Sequence, residues 1–199
     1  QLRSNTPGAD NVVHLNHAGS SLPTQATLDT QIHHLQREAM TGGYEAANEA
    51  ADRSERVYAS IGSLIGAKHY EIARLEQATA AWNAGFWSIP MEPGQRIITA
   101  NAAYGANAVA FLRAVERRGV TIDVVGDDEH GHVDVDELAR RVDSDVALIA
   151  VTHVPTNGGL VNPAAAVGKI ANGAKIPYLL DACQSVGHLH LDVNEIGCD

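Results

Sequence analysis

Short apolar runs alternate with helical segments along most of this chain, and that rhythm restricts the fold more than any other feature of the sequence. The runs "RIITA" (96–100), "VTIDVV" (120–125), "VALIAV" (146–151) and "IPYLL" (176–180) read as strands, and "IARL" (72–75) is a shorter candidate. Between them, residues 79–89, 104–118, 134–142 and 162–172 read as helices. Strands that are apolar at nearly every position need cover on both faces, and a strand–helix rhythm makes neighbours parallel. The expected fold class is therefore α/β, a mostly parallel sheet with helices on both faces. Upstream, Pro23-Thr24 opens a helix to about Met40, stopped by Thr41-Gly42-Gly43. A second helix is expected over Asn48–Ala67, with Val57, Ile61, Leu64 and Ile65 at helical spacing.

Composition narrows the class of function. The chain has 199 residues, enough for a substantial core, and is 45% hydrophobic and 19% charged, as soluble globular proteins are. Its net charge of −10, from 24 acidic against 14 basic residues with no Lys/Arg cluster, argues against nucleic-acid and anionic-membrane partners. No apolar run is long enough to cross a bilayer. Two cysteines, Cys183 and Cys198, make no disulfide framework, so a cytoplasmic location is expected. His130-x-His132 and His188-x-His190 each put two rings on one face of an extended segment, but neither has a third and fourth ligand close by. No metal is expected. Nucleotide-binding glycine motifs are absent.

In parallel α/β sheets, ligands sit at the carboxyl ends of the strands, so the residues there carry the functional reading. Gln77-Ala78-Thr79 opens a helix with small residues and a hydroxyl, which suits an anion; Thr79 as a simple N-cap is the plainer alternative. Tyr104 beside Gly105 offers a flat ring to a ligand, or packs at a helix start. The loop "THVPTNGGLVNP" (152–163) owes its Pro, Asn and Gly to turn chemistry, but that does not explain His153 directly after an apolar strand. Asp181 ends the strand "IPYLL", with Gln184 three residues on. It caps a helix, or it meets a cation supplied by a ligand, since no neighbour in sequence is an obvious partner. Cys183 reads as a small buried filler, and Cys198 as similar, at the start of a sheet strand.

The order of "ATAAW", "AYGANA", "THVPTNGG" and "LLDACQSVGHLHLDV", with "LNHAGSSLP" and "GGYEAANEA" upstream, resembles the class V aminotransferase family. The resemblance runs from Leu15 to Asp199, and "DACQSVGH" is its most specific part. That family comprises pyridoxal-phosphate enzymes of the aspartate-aminotransferase fold, among them cysteine desulfurases, selenocysteine lyases and isopenicillin N epimerase. It implies a large cofactor domain over 46–199 and an N-terminal segment, 1–45, lining the active site. Carried over by position, Ala78 and Thr79 match the phosphate loop and Tyr104 the ring that stacks on the pyridine. Asp181 matches the acid on the pyridine nitrogen, and Gln184 the group near the phenolic oxygen. His153 matches the histidine of a Ser-His motif in which Thr152 replaces the serine. Either Thr156 or Asn157 supplies the contact of the asparagine that follows it. His17 and Ala18 match the turn that lines the substrate pocket.

The resemblance implies an enzyme acting on an amino acid through an external aldimine with lyase, desulfurase or aminotransferase chemistry, and a homodimer. The family's Schiff-base lysine and small C-terminal domain lie beyond Asp199, and Lys68, Lys169 and Lys175 sit in no matching motif. No catalytic residue is therefore assigned here. The sequence is expected to be the N-terminal portion of such an enzyme, or a non-catalytic binding protein that keeps the fold.

Overall fold

The computed structural model describes residues 2–199 and divides into two compact units, Gln1–Ala59 and Ser60–Asp199. In the first unit, two short 3₁₀ turns precede helix α1 (Gln25–Thr41), and helix α2 (Gly43–Ile65) follows and continues past the division. The Thr24 hydroxyl accepts the Thr27 N–H at 3.4 Å and caps α1. Gly42, at φ 99°, ends it, and the Ala46 N–H closes back onto the Gly42 carbonyl at 3.1 Å. One left-handed residue is enough to turn the chain, so α2 starts five residues before the expected Asn48. Arg37 on α1 donates to Glu49 on α2 through Nε at 3.0 Å.

The second unit is the expected α/β domain. Strands β1 (Arg96–Ala100), β2 (Thr121–Val125), β3 (Val146–Thr152) and β4 (Tyr178–Asp181) form one all-parallel sheet in the order β2-β1-β3-β4. Helices α3 (Ala78–Ser88) and α4 (Gly105–Arg118) accompany it, with α5 (Val135–Arg141), α6 (Ala164–Ala174) and α7 (Val193–Ile196). Alternation along the strands sorts the core into two layers. Ile97, Leu148 and Ala150 pack with Trp82, Phe86, Ala110 and Phe111 from α3 and α4. Ile98, Ile149, Val151 and Tyr178 pack with Leu138, Val167, Ala171 and Ile196 from α5, α6 and α7. Every residue of β3 is buried, which is why its sequence shows no polar alternation.

The strand expected over 72–75 does not form. A 3₁₀ turn (His69–Glu71) leads into an irregular stretch, and Leu75 is 41% exposed. A four-residue run, three of it apolar, makes a strand only where a neighbouring strand takes its backbone groups, and none does so among the described residues.

At β1's first residue, Arg96 donates to Asp123 Oδ2 at 2.5 Å, pairs with Asp143 at 2.7 Å and donates to the Arg141 carbonyl at 2.9 Å. Arg141 in turn pairs with Asp123 and Glu137. This network ties β1, β2 and α5 together.

Candidate active site

Each strand of the second unit delivers its last residue to one end of the sheet, and the direction of the helices places their starts there too. Asn107, in the first turn of α4, donates through Nδ2 to Asp181 Oδ2 at 2.7 Å, at the end of β4. Arg118, the last residue of α4, donates to the Ile89 and Trp87 carbonyls at 2.6 and 2.9 Å, at the end of α3. Trp82 and Phe86 of α3 meet Phe111 midway along α4, with ring centroids 6.2 and 5.6 Å apart. The two helices therefore run the same way, and α3 starts at the Asp181 end of the sheet.

Asp181 is 8% exposed. Its Oδ1 accepts the Cys183 N–H at 3.1 Å, and its Oδ2 accepts from Asn107. No Lys or Arg forms an ion pair with it among the described residues. It caps no helix: residues 182–185 form a turn, and the Ser185 N–H returns to the Ala182 carbonyl at 3.0 Å.

Thr79 is not an N-cap either. α3 begins at Ala78, its cap residue Gln77 makes no side-chain capping bond, and Thr79 is the second helical residue. Helix dipole and first-turn N–H groups here meet no side-chain cap. Tyr104 is the N-cap residue of α4, one turn before Asn107, and is 52% exposed.

Tyr104, Thr156 and Asn157 come together, along with Asn101, Asp127 and Thr152, around a cleft of about 420 Å³. The cleft opens between the ends of β1 and β3, where the strand order reverses direction. Among its lining residues is no Lys or Arg, and Asn101 donates to Asp127 at 3.2 Å. His153 is not among them. It is 7% exposed and borders a second cleft of about 330 Å³ with His190, Asp192 and Glu195. Burial pushes its pKa below the usual imidazole value. Its Nδ1 lies 3.1 Å from the Ser185 hydroxyl, which also donates to the Ala182 carbonyl at 3.1 Å. With the hydroxyl's one proton given to Ala182, the ring nitrogen is the donor of the pair, and the contact ties His153 to the turn that bears Gln184. Gln184 itself is half-buried on that turn.

His17 and Ala18 belong to the first unit, in the turn ahead of α1, where the His17 ring meets His14 edge-on at 4.5 Å. Lys169 and Lys175 are exposed on and after α6, and Lys68 lies over the Tyr70 ring at 5.5 Å. Cys183, expected as a buried filler, is instead exposed. Partial desolvation of its thiol, then the neighbouring Asp181, pushes it up to about 11, so it stays protonated at neutral pH. Cys198 follows α7 in an irregular stretch rather than starting a strand, half-buried, with its thiol also raised by burial. Among the described residues, no group of three His, Cys, Asp or Glu side chains stands close enough to hold a metal ion.

Three residues escaped the sequence reading: Asn107, Ser185 and Asn162. Asn162 is a buried junction. Its Oδ1 accepts the Val133 N–H at 3.0 Å, its Nδ2 donates to the Thr152 carbonyl at 2.7 Å, and its N–H donates to the His153 carbonyl at 2.8 Å. Asn107 did leave a signal. It shares a helical stripe with Ala110, Phe111 and Ala114, so a polar residue stands in an otherwise apolar face.

Comparison with known proteins fits this geometry. The sequence model of the family described as "Aminotransferase class-V" matches residues 13–199. The chain belongs to the class V aminotransferase family. A probable cysteine desulfurase of Methanothermobacter thermautotrophicus is 31% identical over 158 residues, which is 79% of this chain and 39% of that protein. One from Synechocystis is 29% identical over 195 residues, 94% of this chain and 46% of that protein. The chain thus spans less than half the length of either curated relative. Among solved structures, a mutant of C-DES superposes with a TM-score of 0.90 at 17% identity, covering 99% of this chain and 53% of that one. In that protein a glycine is covalently linked to the pyridoxal-phosphate cofactor. At such identity the superposition speaks for the fold alone: a parallel α/β domain of the kind found in these pyridoxal-phosphate enzymes.

Proposed function

We propose that this chain forms the cofactor-binding part of a pyridoxal-phosphate enzyme that acts on an amino acid with lyase- or desulfurase-type chemistry; aminotransferase chemistry is the other branch of the family. One observation carries the reading. Asp181 is buried at a strand end, held by two neutral donors and by no cation among the described residues. Burying a carboxylate that way is costly unless a cation completes the site, and a protonated pyridine nitrogen does so.

The remaining residues fit the same ligand. The start of α3, with no side-chain cap and with Ala78 and Thr79 in its first turn, suits a phosphate. The exposed Tyr104 suits stacking on a pyridine; by resemblance Gln184 serves the phenolic oxygen, and Thr156 or Asn157, beside Tyr104 in the cleft, makes the contact of the family's asparagine. When bound, pyridoxal phosphate supplies an electron sink for charge developing at the amino-acid Cα. The part played by Asp181 is to keep the proton on the ring nitrogen, so that the sink stays strong. His153 acts one step back, holding the 182–185 turn through Ser185. By resemblance, His17 and Ala18 serve the substrate.

A cytoplasmic homodimer completes the proposal. Both cysteines are free thiols, which suits a reducing compartment. Leu28, Ile32 and Leu35 on α1, and Val109, Leu112 and Val115 on α4, are exposed apolar stripes that suit subunit contact. The test of the central reading is cofactor binding by the Asp181→Asn variant. A variant that binds as the parent does contradicts it.

A further inference from the structure

We propose that Asn107 is a positioning residue for the cofactor's pyridine nitrogen, acting through Asp181. The inference rests on the pyridoxal-phosphate reading above and adds a residue to it. Asn107 is 3% exposed and stands in the apolar stripe of α4, where Ala110, Phe111 and Ala114 face the core. A buried amide in such a stripe needs a partner, and it has one 74 residues away in sequence: Asp181 Oδ2 at 2.7 Å. An ionised carboxylate only accepts, so the amide's NH₂ end must face it.

Two consequences follow from that geometry. Together with the Cys183 N–H on Oδ1, Asn107 fixes both oxygens of the carboxylate, so the plane in which Asp181 meets a ligand is set before any ligand arrives. Asn107 is also neutral. It stabilises the carboxylate by a short hydrogen bond yet leaves its full negative charge for a ligand cation, which an Arg or Lys at the same place would cancel. Because Tyr104 is the N-cap residue of the same helix, one turn earlier, α4 sets the stacking ring and the nitrogen's counter-ion in register with each other.

The test uses the full-length protein and two probes that bind without a covalent bond: pyridoxine 5′-phosphate, and its 1-deaza analogue, which lacks the ring nitrogen. Calorimetry compares the parent with Asn107→Leu and Asn107→Ser; the serine variant keeps a short donor in case leucine prevents folding. Losing a hydrogen bond to a charged group weakens binding about 10- to 100-fold, so Asn107→Leu should lose that much for pyridoxine 5′-phosphate. Asn107→Ser should lose less, and binding of the deaza analogue should change less than about twofold, because nothing on it contacts Asp181. The ring-nitrogen signal of ¹⁵N-labelled probe should shift toward the unprotonated form in the leucine variant. Equal losses for both probes in either variant, or no loss, would overturn the proposal and leave Asn107 a packing residue. A parent protein that binds both probes equally well would instead overturn the Asp181 reading beneath it.

Discussion

The His153 ring is enclosed at the end of β3 with its Nδ1 on the Ser185 hydroxyl, and desolvation holds its pKa below the ordinary imidazole value of about 6.5. The sign follows from linkage. Above about pH 6.5 the ring is neutral folded or unfolded; below it the unfolded chain takes up a proton that the folded chain resists. Stability should therefore fall as the pH drops from that value through the lower folded one. Urea midpoints at pH 7.5 and 5.5 measure the effect, and His153→Asn should flatten the slope between them. An unchanged slope in that variant would mean that other groups set it. Residue by residue, the sequence conveyed where Asp181 and Tyr104 stand, at a strand end and a helix start, because such positions are written in the local pattern. It conveyed Asn107, Ser185 and Asn162 poorly. Their most distant partners lie 74, 32 and 29 residues away, and those pairings exist only once the sheet has brought distant strand ends together.

Elements were legible where burial on both faces left a strong signal. β1, β3 and their flanking helices lie within a residue or two of expectation, since an apolar run between turn residues has few other uses. "IARL" failed because a run of that length is defined by its neighbours, and α2 began early because one glycine, not two, breaks the chain before it. A packing detail between α6 and α7 was equally invisible. Gly168 lies so near α7 that an added Cβ would stand 1.9 Å from the Ile196 carbonyl oxygen, and its nearest neighbours are all backbone atoms of Ile196 and Gly197. Gly168→Ala must push the helices apart, at a cost of about 1–3 kcal/mol or more, where a surface Gly→Ala in a helix would stabilise. Thermal unfolding of the variant against Gly173→Ala, a helix position where a Cβ meets nothing within 4 Å, checks this. Equal midpoints would show that α7 yields without strain.

At the scale of the molecule, the α/β class and the family were both readable, because a strand–helix rhythm and a set of strand-end motifs survive without knowledge of contacts. Subunit organisation is different in kind, since it depends on surfaces. The apolar stripes on α1 and α4 predict a homodimer for the full-length protein, and sedimentation equilibrium at micromolar concentration measures it. A monomer there would mean that the stripes are covered in some other way.

The most direct measurement is a titration of the full-length protein, parent and Asp181→Asn, with pyridoxal 5′-phosphate, followed by visible absorbance and paired with thermal unfolding of the unliganded proteins. The substituted amide keeps the shape and can still accept from Asn107 or the Cys183 N–H, so unfolding should change by only a few degrees. Binding should weaken by two orders of magnitude or more, since removing one partner of a buried charge pair costs about 3–5 kcal/mol. Equal binding and equal spectra in the two proteins would contradict the account, because Asp181 would then be a structural residue and the cofactor nitrogen would lie elsewhere.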